Sequence, residues 1–373
     1  MPAETHDTRG PRAAGRDERA AREVALLEGL VAIPSPSGHE RPAVNYLRDR
    51  MHELGFKTAI DAAGNAVGIL GEDADRELVL LGHIDTVPGE IPVQVEEGRL
   101  YGRGAVDAKG PLATFVCAAA RARPERLRVV VIGAVGEEAE SPGAHYVAPR
   151  YTPNLAVIGE PGGWDSVVLG YKGSLGVTYA LEQAAEHGAT PHATAPQVAV
   201  DFWNRATAHA AEFNQGRERA FDTLDATLRA FTTAGDGLYD RVELRGSFRL
   251  PPDLDGKALA ARLRDLAGAD GAKATLTTGE PLPAFRAEKN TPLVRAFLDA
   301  IRTAGGKPRF KVKTGTADMN LVGPAWGCPI VAYGPGDSKL DHTPHEHIEL
   351  DEYLRAVAVL AGVLRGLDDA SAE

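Results

Sequence analysis

Cysteine is scarce in this 373-residue chain, which carries only Cys117 and Cys328, far apart and outside any CxxC spacing. That excludes a disulfide framework and a thiolate metal site, and it fits a reducing, cytoplasmic setting. No stretch reaches the ~20 consecutive apolar residues of a membrane span, and the opening MPAETHDTRG lacks the apolar core of a secretory signal, so no membrane partner is expected. A basic excess is missing too: 41 Lys and Arg against 52 Asp and Glu leave a formal charge of −11. Binding to a phosphate backbone needs a basic face, so nucleic acid is not an expected partner. GRGAVDAKG at Gly102–Gly110 is neither GxGxxG nor a P-loop, which argues against a nucleotide-binding site. There is no internal repeat and no low-complexity segment.

What remains is globular: 43% hydrophobic and 25% charged residues, with 41 glycines and 25 prolines. At ~100–200 residues per domain, the length suits two domains, or one large domain with an insertion. Residues 1–16 are polar without an apolar period and read as a flexible tail. Apolar spacing at Ala21, Val24, Leu27, Leu30 and Val31 predicts a helix stopped before Pro34, and Glu40–Leu54 predicts a second. Short Val-, Leu- and Ile-rich runs at Glu77–Ile84, Leu127–Val135 and Asn154–Glu160 read as buried strands, with a helix over Asp107–Ala122. This rhythm predicts an α/β sandwich on a mostly parallel sheet. From about Gly173 the texture changes. Strands at Ser174–Ala184, Asp240–Pro252 and Ala272–Gly279 alternate with helices at Pro196–Phe213 and Leu254–Ala269. That block reads as an α+β domain inserted at 173–284, which leaves 17–172 and 285–373 for the first domain. The α/β rhythm resumes with a helix from Thr291, a strand over Pro329–Gly334 and a closing helix over Asp351–Leu367.

Five pieces stand at or near the ends of predicted strands, where open α/β sheets place ligands. GHIDTVPG sets His83 and Asp85 two residues apart, on one side of extended backbone. A carboxylate there can take the second ring N–H of a metal-bound histidine, although an ordinary strand-end pair looks the same. Asp107 in GRGAVDAKGP reads either as a helix N-cap or as a metal-bridging carboxylate on backbone loosened by Gly102, Gly104 and Gly110. Glu137 and Glu138 in GEEAES follow a buried strand and repel unless a cation, a proton or water separates them. Glu160 ends a strand in IGEPGGWD and His342 follows the turn in GPGDSKLDH; alone, each reads equally as a solvated side chain. Together, two imidazoles and three carboxylates suit two Zn2+-like ions sharing one carboxylate, with Co2+ and Mn2+ left open.

The order HxD, GRGxxDxKG, GEE, GEP and a late GPG…HxPxE resembles the M20 metallopeptidases, over nearly all of the chain after about Glu23. The resemblance implies a zinc-peptidase-like catalytic domain with a mixed, mostly parallel sheet and an inserted α+β dimerisation, or lid, domain. It implies amide hydrolysis at two divalent ions, Zn2+ or Co2+, with His83 and Glu160 on one and Glu138 and His342 on the other. Asp107 would bridge them, Asp85 would orient His83, and Glu137 would be the general base. It also implies a homodimer in which a lid histidine reaches the other subunit's site. HGATPHATAP offers His187 and His192, and the distance from Gly173 favours His187. GEPGGWDSVVLGYKGSLGV and KTGTADMN at Lys313–Asn320 resemble the LysK-type branch. That branch releases lysine or ornithine from the C-terminal glutamate side chain of a small acidic amino-group carrier protein. An N-acyl-ornithine or N-acyl-lysine deacylase and a di- or tripeptidase share the same ligands and stay open. So does, from another class, a metal-binding scaffold without catalysis.

Several neighbours carry weaker readings. The N–H groups of the Gly334–Pro335–Gly336 turn are candidates for a substrate carboxylate, and Arg249 in FRLPP is a second, through bidentate geometry. A plain turn and a surface arginine are the alternatives. Lys172 in YKG sits where the domains join and reads as part of a hinge. Lys307, Arg309, Lys311 and Lys313 form a basic stretch that either steers an acidic carrier or is a solvated edge strand. The choice of amide depends on neighbours such as Trp164, Tyr171 and Asp318.

Overall fold

The structure, a computed structural model, describes residues 11–185, 187, 192–268 and 274–370. The chain divides into two compact units, Met1–Leu169 with Ala287–Lys311 and Ala325–Glu373, and Gly170–Arg286 with Val312–Pro324. The second unit thus takes 312–324, a stretch that the sequence reading keeps with the flanking segments. No helix among the described residues is long and apolar enough to cross a membrane.

The first unit is built on a sheet of neighbouring strands Lys57–Ile60, Ala66–Leu70, Arg128–Ala134, Glu77–His83, Leu155–Gly159, Ile330–Tyr333 and Ser166–Tyr171, the last running on into the second unit. The four strands from Arg128–Ala134 to Ile330–Tyr333 are mutually parallel, and the flanking pairings are antiparallel. The α/β class and the mostly parallel centre therefore hold. Every residue from Leu78 to His83 is buried, as in a strand covered on both faces, and such a strand shows no alternation in sequence. The helix Lys109–Ala122 is buried over most of its surface and packs against the closing helix Leu350–Asp369. It ends at Arg123 in left-handed backbone. Pro42 and Pro292 sit in the first turns of the helices Arg41–Glu53 and Pro292–Thr303, where a missing N–H costs nothing. The helix Pro11–Val31 begins inside the segment read as a tail; residues 1–10 of that segment lie outside the described residues. A small sheet of Gln94–Glu96, Arg99–Tyr101 and His347–Glu349 ties the chain after His342 to the chain before Asp107.

The second unit has a four-stranded antiparallel sheet in the order Asp225–Gly235, Tyr239–Leu250, Gly173–Ala184 and Thr275–Thr278. The helices Ala195–Phe213 and Gly256–Ala267 cover it through a core that includes Leu175, Tyr179, Phe202, Leu244 and Leu263. Tyr179 stacks on Phe202 with ring centroids 4.6 Å apart. The strand Asp225–Gly235 has no counterpart in the sequence reading. It is a sheet edge, exposed over most of its length, so no apolar period marks it.

Candidate metal centre

Register explains why distant motifs meet. His83 pairs with Ala134, Gly82 with Gly159, and Gly159 with Tyr333, so the four parallel strands end level. The residues that leave those ends are Asp85, Glu137 with Glu138, Glu160, and Gly334. This is the carboxyl rim of an open parallel sheet. Gly136, at φ +75, turns the chain there, and a Cβ on it would meet Pro142 at 2.6 Å. A Cβ on Gly334 would meet the Glu160 carbonyl oxygen at 2.7 Å, so that close approach also requires glycine.

Asp107 is the hub. Its Oδ1 lies 3.2 Å from His83 Nε2 and its Oδ2 lies 3.1 Å from His342 Nε2. His342 Nε2 is also 2.8 Å from Glu138 Oε1. One carboxylate thus presents a separate oxygen to each imidazole. The Asp107–Ala108 peptide is cis, and His342 has a left-handed backbone, φ +61. Ligand atoms of His83, Asp107 and Glu138 lie within 4.8 Å of one another. Glu160 is buried beside them.

Asp85 does more than stand behind His83. The ring Nδ1 of His83 is 3.1 Å from the main-chain oxygen of Asp85 and 3.4 Å from its carboxylate. That carboxylate accepts the N–H groups of Glu137 and Glu138, each at 3.0 Å, and the Ser37 hydroxyl at 2.7 Å. Asp85 therefore fixes the Glu137–Glu138 turn as well as the imidazole.

Charge is unevenly shared in this cluster. Burial opposes a charge on His83, but hydrogen bonds to Asp107 and Asp85 and the field of Glu137 outweigh it and raise its pKa well above the usual value. The bonds to Asp107 and Glu138 push His342 up to about 10. Burial also opposes ionisation of Asp107, yet its bonds to His342 and His83 hold it well below the usual carboxylate range. Glu160 goes the other way, pushed well up by burial and then by the charges of Asp107 and Glu137. A divalent cation relieves this acid–acid repulsion and takes the place of the imidazole protons. The donor set of imidazoles and carboxylates fits such ions.

Other expected residues fall elsewhere. Gly336 donates its N–H to Glu352 Oε1 at 3.2 Å, and Pro335 has none to give. The Gly336 N–H of that turn is thus already paired within the protein. The same Glu352 oxygen accepts the Trp164 N–H at 3.1 Å, and Gly162 donates to the Gly334 carbonyl at 3.0 Å, so the loops at Glu160 and Gly334 are tied together. Arg249 belongs to the second unit, where its Nη1 donates to Thr316 at 3.0 Å. Lys172, fully buried in that unit, donates to the Ala220 carbonyl and to Asp225. His187 and His192 are exposed residues of the second unit, and Glu186 and residues 188–191 lie outside those described.

Three contributors carry no role in the sequence reading. Glu346, 1% exposed, accepts the N–H groups of Val106 and Asp107 at 3.0 and 3.1 Å and Arg103 Nη1 at 2.8 Å. It holds the loop that presents Asp107, and its one signal in sequence is its place four residues after His342. Ser37 reads as a turn residue, and Glu352 as an ordinary acid in a first helical turn.

Three comparisons bear on this geometry. The model of "Peptidase family M20/M25/M40" matches residues 79–366. A LysW-lysine hydrolase of Deinococcus radiodurans is 45% identical over 359 residues, covering 94% of this chain and 98% of that protein. A LysW-lysine/LysW-ornithine hydrolase of Saccharolobus islandicus is 30% identical over 329 residues, covering 88% and 90%. Among solved structures, the M20 family metallo-carboxypeptidase Sso-CP2 from Sulfolobus solfataricus shares the fold, with a TM-score of 0.76, 19% identity and coverage of 92% and 98%.

Proposed function

The chain belongs to peptidase family M20/M25/M40, and from that premise we propose that it is a two-metal amide hydrolase acting on an acidic amino-group carrier protein. It releases L-lysine, or L-ornithine, from the carrier's C-terminal glutamate side chain. One observation carries the hydrolytic part: the two oxygens of Asp107 face two imidazoles, with Glu138 and Glu160 beside them at the same sheet rim. The carrier-linked substrate is supported by 45% identity to the LysW-lysine hydrolase over nearly the full length of both chains. The relative named for both amino acids keeps ornithine in the reading.

In this reading His83 and Glu160 would hold one ion, Glu138 and His342 the other, and Asp107 would serve both. Zn2+ or Co2+ suits the nitrogen and oxygen donors. When bound, the ions supply the Lewis acidity that eases ionisation of water and stabilises the developing oxyanion. A carboxylate oxygen of Glu137 takes the proton of the attacking water and passes it to the leaving amine nitrogen as the C–N bond breaks. Asp85 and Ser37 keep Glu137 aimed through its main-chain N–H. The inserted domain carries a homodimer contact, with His187 as the lid histidine. Support comes from the edge strand Asp225–Gly235, where Leu228 and Phe231 are exposed, and from the exposed Leu238 and Tyr239 just after it.

The test is an assay of the metal-loaded protein on carrier-linked lysine, carrier-linked ornithine and N-acetyl-lysine. Release of the amino acid from the carrier is expected. Exclusive action on the acetylated amino acid overturns the carrier reading and leaves the hydrolase reading standing.

A further inference from the structure

A cleft of about 490 Å³ opens on the first unit between the helices Pro11–Val31 and Lys109–Ala122. It is separate from the sheet rim. The helix Lys109–Ala122 starts two residues after Asp107 and reaches the cleft with its last turn, 14 residues on, a span of about 21 Å.

In a chain of net charge −11, four arginines line this cleft: Arg19 and Arg22 from one helix, Arg121 and Arg123 from the end of the other. Arg22 pairs with exposed Glu18 at 3.3 Å, and Arg121 reaches Glu23 only at 3.9 Å. The guanidinium groups of Arg19 and Arg123 make no hydrogen bond or ion pair among the described residues. Glu23 is a group of the opposite kind in the same cleft, 8% exposed. Burial pushes its carboxyl up, against the pull of Arg121 and Arg19. Leu26 and Ala120 supply apolar lining between these groups.

A simple anion would satisfy the arginines but face the Glu23 carboxylate. A simple cation would satisfy Glu23 but meet the arginines. A ligand with two carboxylates and an ammonium group matches both. We propose that this cleft binds an acidic α-amino acid, with its carboxylates on Arg19, Arg121 and Arg123 and its ammonium on Glu23. Guanidinium forks suit carboxylates through paired N–H donors, and Leu26 and Ala120 pack against the methylene carbons.

Calorimetric titration of the metal-loaded protein with L-glutamate, and with glutarate as the same dicarboxylate lacking the ammonium, tests this. Saturable L-glutamate binding is expected, about tenfold tighter than glutarate and about tenfold weaker in the double variant Arg19→Ser, Arg123→Ser. The variant Glu23→Gln is expected to erase the preference for L-glutamate over glutarate. Both variants alter residues outside the metal cluster, so amide hydrolysis without added amino acid stays within about twofold of the parent, and that activity reports intact folding. Absence of saturable binding up to about 20 mM, a range that covers ordinary weak ligands, overturns the proposal. So does an unchanged affinity in the double variant, which would place L-glutamate at the metal cluster or elsewhere.

Discussion

In the first unit, the strands Glu77–His83 and Leu155–Gly159 are covered on both faces. In the second, Gly173–Ala184 alternates between buried and accessible residues for most of its length, with two helices packed on its sheet. A strand covered on both faces has no solvent face on which to carry polar groups, so they collect where it ends. Four parallel strands ending level then bring several such groups into one small volume. The antiparallel sheet has an accessible face and an exposed edge, and its polar side chains are spread along both. Among the described residues, the one group of His, Cys, Asp and Glu close enough to hold a metal lies at the first sheet's rim. Burial on both faces concentrates chemistry, and burial on one face leaves surface for association.

The largest expected effect tests the rim directly. Glu137→Gln keeps the side chain's size and the main-chain N–H that Asp85 accepts, but it removes the carboxylate proposed to take the proton. Turnover is expected to fall by about 10²–10⁴-fold, with metal content and circular dichroism unchanged. Near-parental kcat in that variant would break the assignment of proton transfer to this residue.

A smaller effect is expected one layer back. Glu346 accepts two main-chain N–H groups of the Asp107 loop and the Arg103 guanidinium without facing either imidazole among its hydrogen bonds. Glu346→Gln replaces one of its two acceptor oxygens with an amide donor. Metal affinity is expected to weaken by about 10–100-fold, as read by competition with a chelator, while kcat at saturating metal stays close to the parent. A fall in kcat that excess metal does not restore would show that the loop shapes the reaction as well as the ion site.

How much of this was open to sequence follows from the same contrast. Strands covered on both faces announce themselves as continuous Val, Leu and Ile runs, and His83, Asp107, Glu138, Glu160 and His342 stand out because each lies close to a turn or the end of such a run. Asp225–Gly235 gives no such signal, because neither of its faces is buried along its length. Lys57–Ile60 and Ala66–Leu70 are too short, at four and five residues, to show a period. The grouping of 312–324 with the second unit rests on contacts remote in sequence, such as Asn320 Nδ2 donating to the carbonyls of Lys172 and Pro283 at 3.1 and 2.9 Å. The roles of Ser37, Glu346 and Glu352 are hidden for the same reason. Each bonds a residue dozens to hundreds of positions away, and no local pattern encodes that.

The smallest expected effect concerns one acid from each unit, Glu160 and Asp236, whose pKa values move in opposite directions. Glu160 is pushed up by burial. Asp236, in the exposed hairpin of the second unit, is pulled down to about 2 by the N–H groups of Leu238 and Tyr239, 2.9 and 2.8 Å from its Oδ1, and then by Arg241. A carboxylate whose folded pKa lies below its unfolded value of about 3.9 contributes stability that is fully present above that value. That contribution is lost as pH falls through about 2. Urea unfolding of the parent and of Asp236→Asn should therefore differ by a small, constant amount down to about pH 4, and the difference should shrink as the pH falls towards the folded pKa. A gap that persists undiminished at that end of the range would mean that the hairpin depends on the shape of the Asp236 side chain and not on its charge.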